Sequence, residues 1–210
     1  MILHQRYLFS FFYLISLFYY TIKLGDNIEK SIECEAKCLI TKNEYQSILQ
    51  TSSVIETIHQ TNYYIDYNNK LKNNHQALRI RAKNDKYELT LKTKTSEGNI
   101  EQTINIDASC VADIINNHCL PTQLAQELNI NISDIDSIKI IKTTRSCIQY
   151  CDLIIELDHT DFNGTVDYEI EIEAPNLEVA NETLNQFCNE HNINPQPSIA
   201  KIARYDLYNQ

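Results

Sequence analysis

Two stretches of this chain carry carboxylates on alternate residues, and the stretches between them carry Arg and Lys in the same alternation. The first reads Glu33-Cys34-Glu35-Ala36-Lys37, and the last reads Glu169-Ile170-Glu171-Ile172-Glu173. Between them come Leu78-Arg79-Ile80-Arg81 and Glu88-Leu89-Thr90-Leu91-Lys92. A β-strand sends successive side chains to opposite faces, so each stretch has one charged face and one apolar face. If the charged faces all point the same way, they line one cavity with acidic and basic walls. A single Glu-x-Glu strand says little, because antiparallel sheets commonly show a polar face to water. The segregation of sign by strand is more telling, since a solvated face usually intersperses the two signs.

The chain has 210 residues, 43% of them hydrophobic, which suffices for one large domain or two small ones with a real core. Its formal net charge of −10 argues against a nucleic-acid or acidic-membrane partner. Any anion site must therefore gather its basic residues locally. Only three Gly and four Pro occur, and no low-complexity linker or solenoid-length repeat is present. The seven Cys include no Cys-x-x-Cys pair, which favours reduced thiols acting as small hydrophobes in a cytoplasmic protein over a zinc site or a disulfide framework.

Residues 1–30 stand apart from the rest. Tyr7 to Ile22 is uncharged and rich in Phe, Leu, Tyr and Ile, flanked by Arg6 and Lys23. It is slightly short for a spanning helix, which needs about 20 residues, and no small-x-small cleavage site follows it. It reads as a weak anchor, an uncleaved signal, or upstream sequence translated from a wrongly chosen start. The last is narrowly favoured, because the domain pattern begins only near Ser31. Membrane contact is expected only if residues 7–22 are a genuine anchor.

Along residues 31–210 the pattern predicts strands at 31–40, 60–68, 76–83, 86–94, 99–106, 137–148, 152–158 and 165–173. Thr41 with Glu44 forms a capping box opening a helix to about Ile58. Helical sequence at 107–130 is broken at Pro121, and Pro175 sits where the first turn of a helix to about His191 would begin. Asn84-Asp85 is turn-like, and Asn163-Gly164 is a strong hairpin signal. The expected class is α+β: an eight-stranded antiparallel barrel, closed to remove its edges, with flanking helices.

The charged residue types suit one chemistry. Divalent Mg²⁺ and Mn²⁺ take oxygen ligands, Arg forks bind phosphate oxygens bidentately, and Lys supplies a compact charge. Phosphoryl transfer needs chiefly in-line positioning and neutralised equatorial oxygens.

These motifs, in order, resemble the CYTH family, the triphosphate tunnel metalloenzymes. Glu33-x-Glu35-x-Lys37 resembles its opening signature, and Asn62-Tyr63-Tyr64-Ile65-Asp66 its aromatic-Asp strand. Arg79 and Arg81 resemble its paired-Arg strand, Lys92 its Lys strand, and Glu101 the acid that follows. Thr144-Arg145, Leu157-Asp158, Gly164, Asp167 to Glu171 and Lys201-Ile202-Ala203-Arg204 continue the match to about residue 205. The stand-alone, YjbK-like bacterial branch is the most similar. The resemblance implies a barrel of about eight strands around a charged tunnel, and hydrolysis of a triphosphate with Mg²⁺ or Mn²⁺.

Carried over by that resemblance, Glu33, Glu35, Glu169 and Glu171 would be metal ligands or water-positioning groups, with Asp158 and Glu101 as further acids. Lys37, Arg79, Arg81, Lys92, Arg145 and Lys201 would hold phosphates, and Glu33, Glu35, Lys37 and Glu171 would form the catalytic set. Arg204 reads as structural, and Glu173 as having left the tunnel. His59, His118 and His191 read as surface or loop residues, and Tyr63 and Tyr64 as packing. Two alternatives stay open: a non-catalytic module that binds a phosphorylated ligand, and a class IV-type adenylate cyclase. The sequence leaves the oligomeric state and the identity of the triphosphate open.

Overall fold

The computed structural model describes residues 28–96 and 98–210; the apolar stretch 7–22 lies outside them. Ten strands form one sheet: β1 (Glu29–Glu33), β2 (Glu35–Ile40), β3 (Val54–Asp66), β4 (Gln76–Lys83), β5 (Lys86–Lys94), β6 (Asn99–Ile106), β7 (Ser137–Tyr150), β8 (Leu153–Asp161), β9 (Val166–Glu173) and the two-residue β10 (Gln196–Pro197). Among the described residues six helices accompany them: α1 (Lys42–Thr51), α2 (Lys70–Asn73), α3 (Ala108–Asn117), α4 (Thr122–Glu127), α5 (Leu177–Glu190) and α6 (Lys201–Tyr208).

The sheet order is β1-β6-β5-β4-β3-β7-β8-β9-β2-β10, and the ladders are antiparallel. This corrects the expectation of eight strands in a closed barrel: there are ten, and the hydrogen-bonded ladder does not close on itself. The expected strand 31–40 is divided at Cys34. Glu33 pairs with Asn99 on β6, whereas Glu35 pairs with Glu173 on β9, at the far side of the order. Consecutive Cα atoms are about 3.8 Å apart, so the sheet must curl until its two sides meet at this residue. The Cys34 carbonyl accepts a hydrogen bond from the Ala174 amide (3.0 Å), tying the break to the end of β9. On the other side, an added Cβ at Gly98 (φ +140°) would come within 2.5 Å of the Glu33 carbonyl oxygen, so this close approach requires glycine.

The alternation directs the apolar residues outward, beneath helices. One cluster joins Leu78, Ile80, Leu89, Leu91 and Ile104 to Ile114 and Leu124 of α3 and α4. A second joins Ala36, Cys38, Leu157, Ile170 and Ile172 to Ile48 of α1 and to Leu184 and Phe187 of α5. Each large aliphatic side chain buried this way contributes about 1.5–3 kcal/mol. The charged faces are left on the concave side.

Local chemistry sets the element ends. The Thr41 amide donates to Glu44 Oε2 (2.7 Å), and the Glu44 amide donates back to Thr41 Oγ1 (3.3 Å), closing the capping box. The helix stops at Thr51 instead of Ile58, because Val54 to Ile58 pair with β7. Pro175 lies just before α5: Asn176 is the cap and its Oδ1 accepts from the Val179 amide (2.9 Å). In the β8–β9 hairpin Asn163 (φ 65°) and Gly164 (φ 103°) both take the positive φ of a type I′ turn. No disulfide forms among the described cysteines, five of which are buried. No described helix is long and apolar enough to cross a membrane.

Candidate active site

The concave side encloses a cavity of about 480 Å³. Its walls carry Glu33, Glu35 and Lys37 from β1 and β2, Arg79 and Arg81 from β4, and Lys92 from β5. Glu101, Arg145, Glu171 and Lys201 complete the set, so ten of the twelve expected site residues line it. Asp158 and Glu169 lie just behind this lining, fully buried. Register explains the gathering: Lys37 pairs with Glu171, Arg145 with Asp158, Asp158 with Glu169, and Lys92 with Glu101. Cross-strand partners share a face, so three of these pairings set opposite charges side by side, and the Asp158–Glu169 pairing sets two acids together.

Three charge groups result. The first lies beside the Cys34 break. Lys92 Nζ donates to Glu33 Oε2 and lies against Glu101 Oε1, both at 2.6 Å, and Lys37 Nζ reaches Glu35 Oε1 at 2.5 Å. Burial and Arg79 act against the Lys92 charge, but Glu33, Glu101 and Glu35 prevail and hold its pKa above the ordinary lysine value.

The second group is deeply buried. Lys201 Nζ contacts Glu169 Oε2 (2.5 Å), Glu171 Oε1 (2.7 Å) and Asp158 Oδ2 (2.9 Å). Arg145 places Nη2 2.8 Å from Asp158 Oδ2 and 2.5 Å from Glu171 Oε2, and also pairs with Glu156. Burial opposes the Glu171 charge, but Lys201, Arg145 and Lys37 outweigh it and hold the carboxyl well below its usual range. Burial likewise opposes the Lys201 charge, and Glu171, Asp158 and Glu169 hold its pKa well above the ordinary value.

The third group is Arg79 with Arg81. Neither makes an ion pair among the described residues. Arg81 Nε donates only to Asn62 Oδ1 (3.0 Å), and Arg79 Nε is buried without an acceptor. Burial and the neighbouring Arg79 push the Arg81 pKa down to about 10, so it stays protonated at neutral pH.

The acids also form a set that suits a metal. Asp158, Glu169 and Glu171 can each offer one oxygen, all within 4.8 Å of one another. Hard oxygen donors on three strand positions are what a divalent cation such as Mg²⁺ or Mn²⁺ takes.

Other features lay outside the sequence reading. Glu173 lines the cavity, correcting the expectation that it leaves the tunnel. Burial and the nearby Glu33 and Glu101 raise its pKa. Glu156 lines the cavity too, and its alternation with Asp158 was the signal that could have found it. A second cavity of about 820 Å³ adjoins at Glu156 and Glu173. Asp66, part of the expected aromatic-Asp strand, accepts from the amides of Leu71 (3.0 Å) and Lys72 (3.1 Å), and so caps α2. His59 and His118 are exposed, and His191 packs on Phe187 at 4.3 Å between ring centroids.

The CYTH domain family model matches residues 31–205. The chain belongs to the CYTH family. A Bacillus subtilis relative named "Putative triphosphatase YjbK" is 30% identical over 184 residues, covering 85% of this chain and 96% of its own. The solved structure of a "putative adenylate cyclase" from Bacillus halodurans is 29% identical, with a TM-score of 0.74 over 83% of this chain and 97% of that one. The Hippeastrum protein HpAC1, described as a "Putative adenylyl cyclase" with a dominant triphosphatase activity, is 25% identical with a TM-score of 0.68, over 84% and 96% of the two chains. CYTH membership, the α+β sheet and the sign-segregated cavity thus agree.

Proposed function

We propose that this CYTH protein is a cytoplasmic, divalent-cation-dependent triphosphatase, with residues 31–210 as the working domain. The observation that carries the reading is the Arg79–Arg81 pair. Two neighbouring guanidinium groups face a cavity without a carboxylate partner, and a buried Arg79 Nε lacks an acceptor. Buried charge is costly unless paired, so the site is built for an anion that arrives from outside.

In this reading Arg79 and Arg81 grip the phosphate chain, with Lys92 on the adjoining strand β5 and Lys37 on β2 as further cations. Glu171, with Asp158 and Glu169, would hold Mg²⁺ or Mn²⁺; when bound, the ion supplies neutralisation of phosphate charge. Glu33 and Glu35 face the same space and orient water towards the terminal phosphorus. Attack forms the new P–O bond, breaks the bond to the bridging oxygen and releases orthophosphate. A carboxylate of the wall takes the proton; burial raises the pKa of both Glu156 and Glu173 there.

The test is phosphate release from tripolyphosphate by the purified full-length chain with Mg²⁺ or Mn²⁺, with ATP and cyclic AMP formation followed in parallel. Turnover of tripolyphosphate that stops on chelation supports the reading. Cyclic AMP formation in its place would favour the cyclase reading, and tight phosphate binding without turnover in any metal would favour a binding module.

A further inference from the structure

A dense group of buried ion pairs joins α6 to the acidic trio. Lys201, the first residue of α6, has an 11% exposed side chain and touches Asp158, Glu169 and Glu171 together. One turn later, Arg204 binds Glu169 through both Nη atoms (2.8 Å each) and places Nε 2.8 Å from Asp167. α6 thus brings two cations to four carboxylates, beside Arg145 and the more distant Lys37, whose Nζ lies 4.0 Å from Glu171 Oε1. On its outer side α6 is held by half-exposed pairs of Asp206 with Lys72 (2.9 Å) and Lys139 (2.5 Å), of a kind worth little. The docking of α6 therefore draws on the buried cluster, beside the packing of Tyr208 and Arg204 on Phe162.

The three oxygens that suit a divalent cation are the carboxylates that the Lys201 ammonium already contacts. Lys201 and Arg145 already share Asp158 Oδ2 and Glu171, so a divalent ion on the same trio would add two positive charges beside them and meet strong repulsion from the Lys201 ammonium. We infer that Lys201 is a resident cation of the trio, and that a divalent ion and docked α6 are alternative partners of the same carboxylates. Metal entry displaces Lys201 and loosens α6; docked α6 weakens the metal. The coupling is reciprocal, as linkage requires. This inference rests on the metal-binding part of the proposed function and not on turnover.

The experiment measures Mn²⁺ binding to the full-length chain without any phosphate, by the paramagnetic resonance of free Mn²⁺, beside the thermal midpoint with and without Mn²⁺. Lys201→Met removes the competing charge and keeps the side-chain length; Asp206→Asn loosens α6 from outside without touching the trio. Lys201→Met is expected to bind Mn²⁺ about 10-fold more tightly than wild type, within the usual range of site coupling. Asp206→Asn is expected to bind it more tightly by a smaller factor, and both are expected to show a larger Mn²⁺-induced rise in midpoint. Equal Mn²⁺ affinity in all three proteins, or weaker binding in Lys201→Met, overturns the exchange alone. An absence of Mn²⁺ binding in all three overturns both the exchange and the metal-dependent reading above.

Discussion

Arg204 on α6 and Glu169 on β9 face one another through two parallel contacts of 2.8 Å, and both are almost wholly buried. Such a fork fixes the angle of α6 as well as its charge. Arg204→Ala leaves Glu169 and Asp167 in the interior with one fewer cation. The expected cost is about 3–5 kcal/mol, the usual penalty for breaking a buried pair from one side. Urea unfolding checks it, and Arg204→Lys, which loses the fork but keeps a charge, should fall between the two.

Arg79 and Arg81 should behave in the opposite way. Each is a cation held in the cavity without a carboxylate, so Arg79→Met is expected to leave stability unchanged or raise it, while weakening tripolyphosphate binding. Losing a charged hydrogen bond costs about 1.5–3 kcal/mol, or roughly 10- to 150-fold in affinity. Calorimetric titration with tripolyphosphate, beside a thermal scan, separates this outcome from general damage.

Two carboxylates should give stability opposite slopes with pH. Glu171 has a depressed pKa in the folded protein, so its contribution is present above the ordinary carboxyl value and is lost as pH falls through the folded one. Glu173 has a raised pKa, so it costs stability as pH rises from its unfolded value through the raised one. Glu173→Gln is therefore expected to raise the thermal midpoint at pH 7 relative to pH 4, and Glu171→Gln to lower it. Midpoints recorded across pH 3–8 test both signs.

The two described glycines should respond unequally to alanine. At Gly164 the φ of +103° is strained for alanine but nothing lies within 4 Å, whereas at Gly98 the new methyl would meet the Glu33 carbonyl. Gly164→Ala is expected to cost about 1–2 kcal/mol from the backbone alone. Gly98→Ala should cost more and also reduce tripolyphosphate turnover, because Glu33 must shift. Denaturant midpoints and initial rates on the same preparations give the comparison.

Much of this architecture was legible from local pattern. The strands at 76–83, 86–94 and 99–106 have the expected bounds, because alternation there is cut off by turn residues such as Asn84 and Asp85, both at positive φ. The sign segregation also pointed to a shared face. The partner exchange at Cys34 was not legible, since nothing in Glu33-Cys34-Glu35 says which distant strand each residue will meet. The end of α1 was missed for a related reason: pairing of Val54 to Ile58 with β7 overrides a helical reading that only local sequence supports. The burial of Arg204 depends on the packing of α6 against β9, a contact between segments 35 residues apart, and so left no trace in strand periodicity.

The meeting at Cys34 of β1, at one end of the sheet order, with β2, next to the other end, has a topological consequence. One stretch of peptide, with no ring of rungs, keeps the ends together. A circular permutant whose new termini fall at Cys34 would retain every interstrand ladder and both helix-covered clusters. Its perimeter would be free to spread, and it should stay folded while losing its grip on small anions.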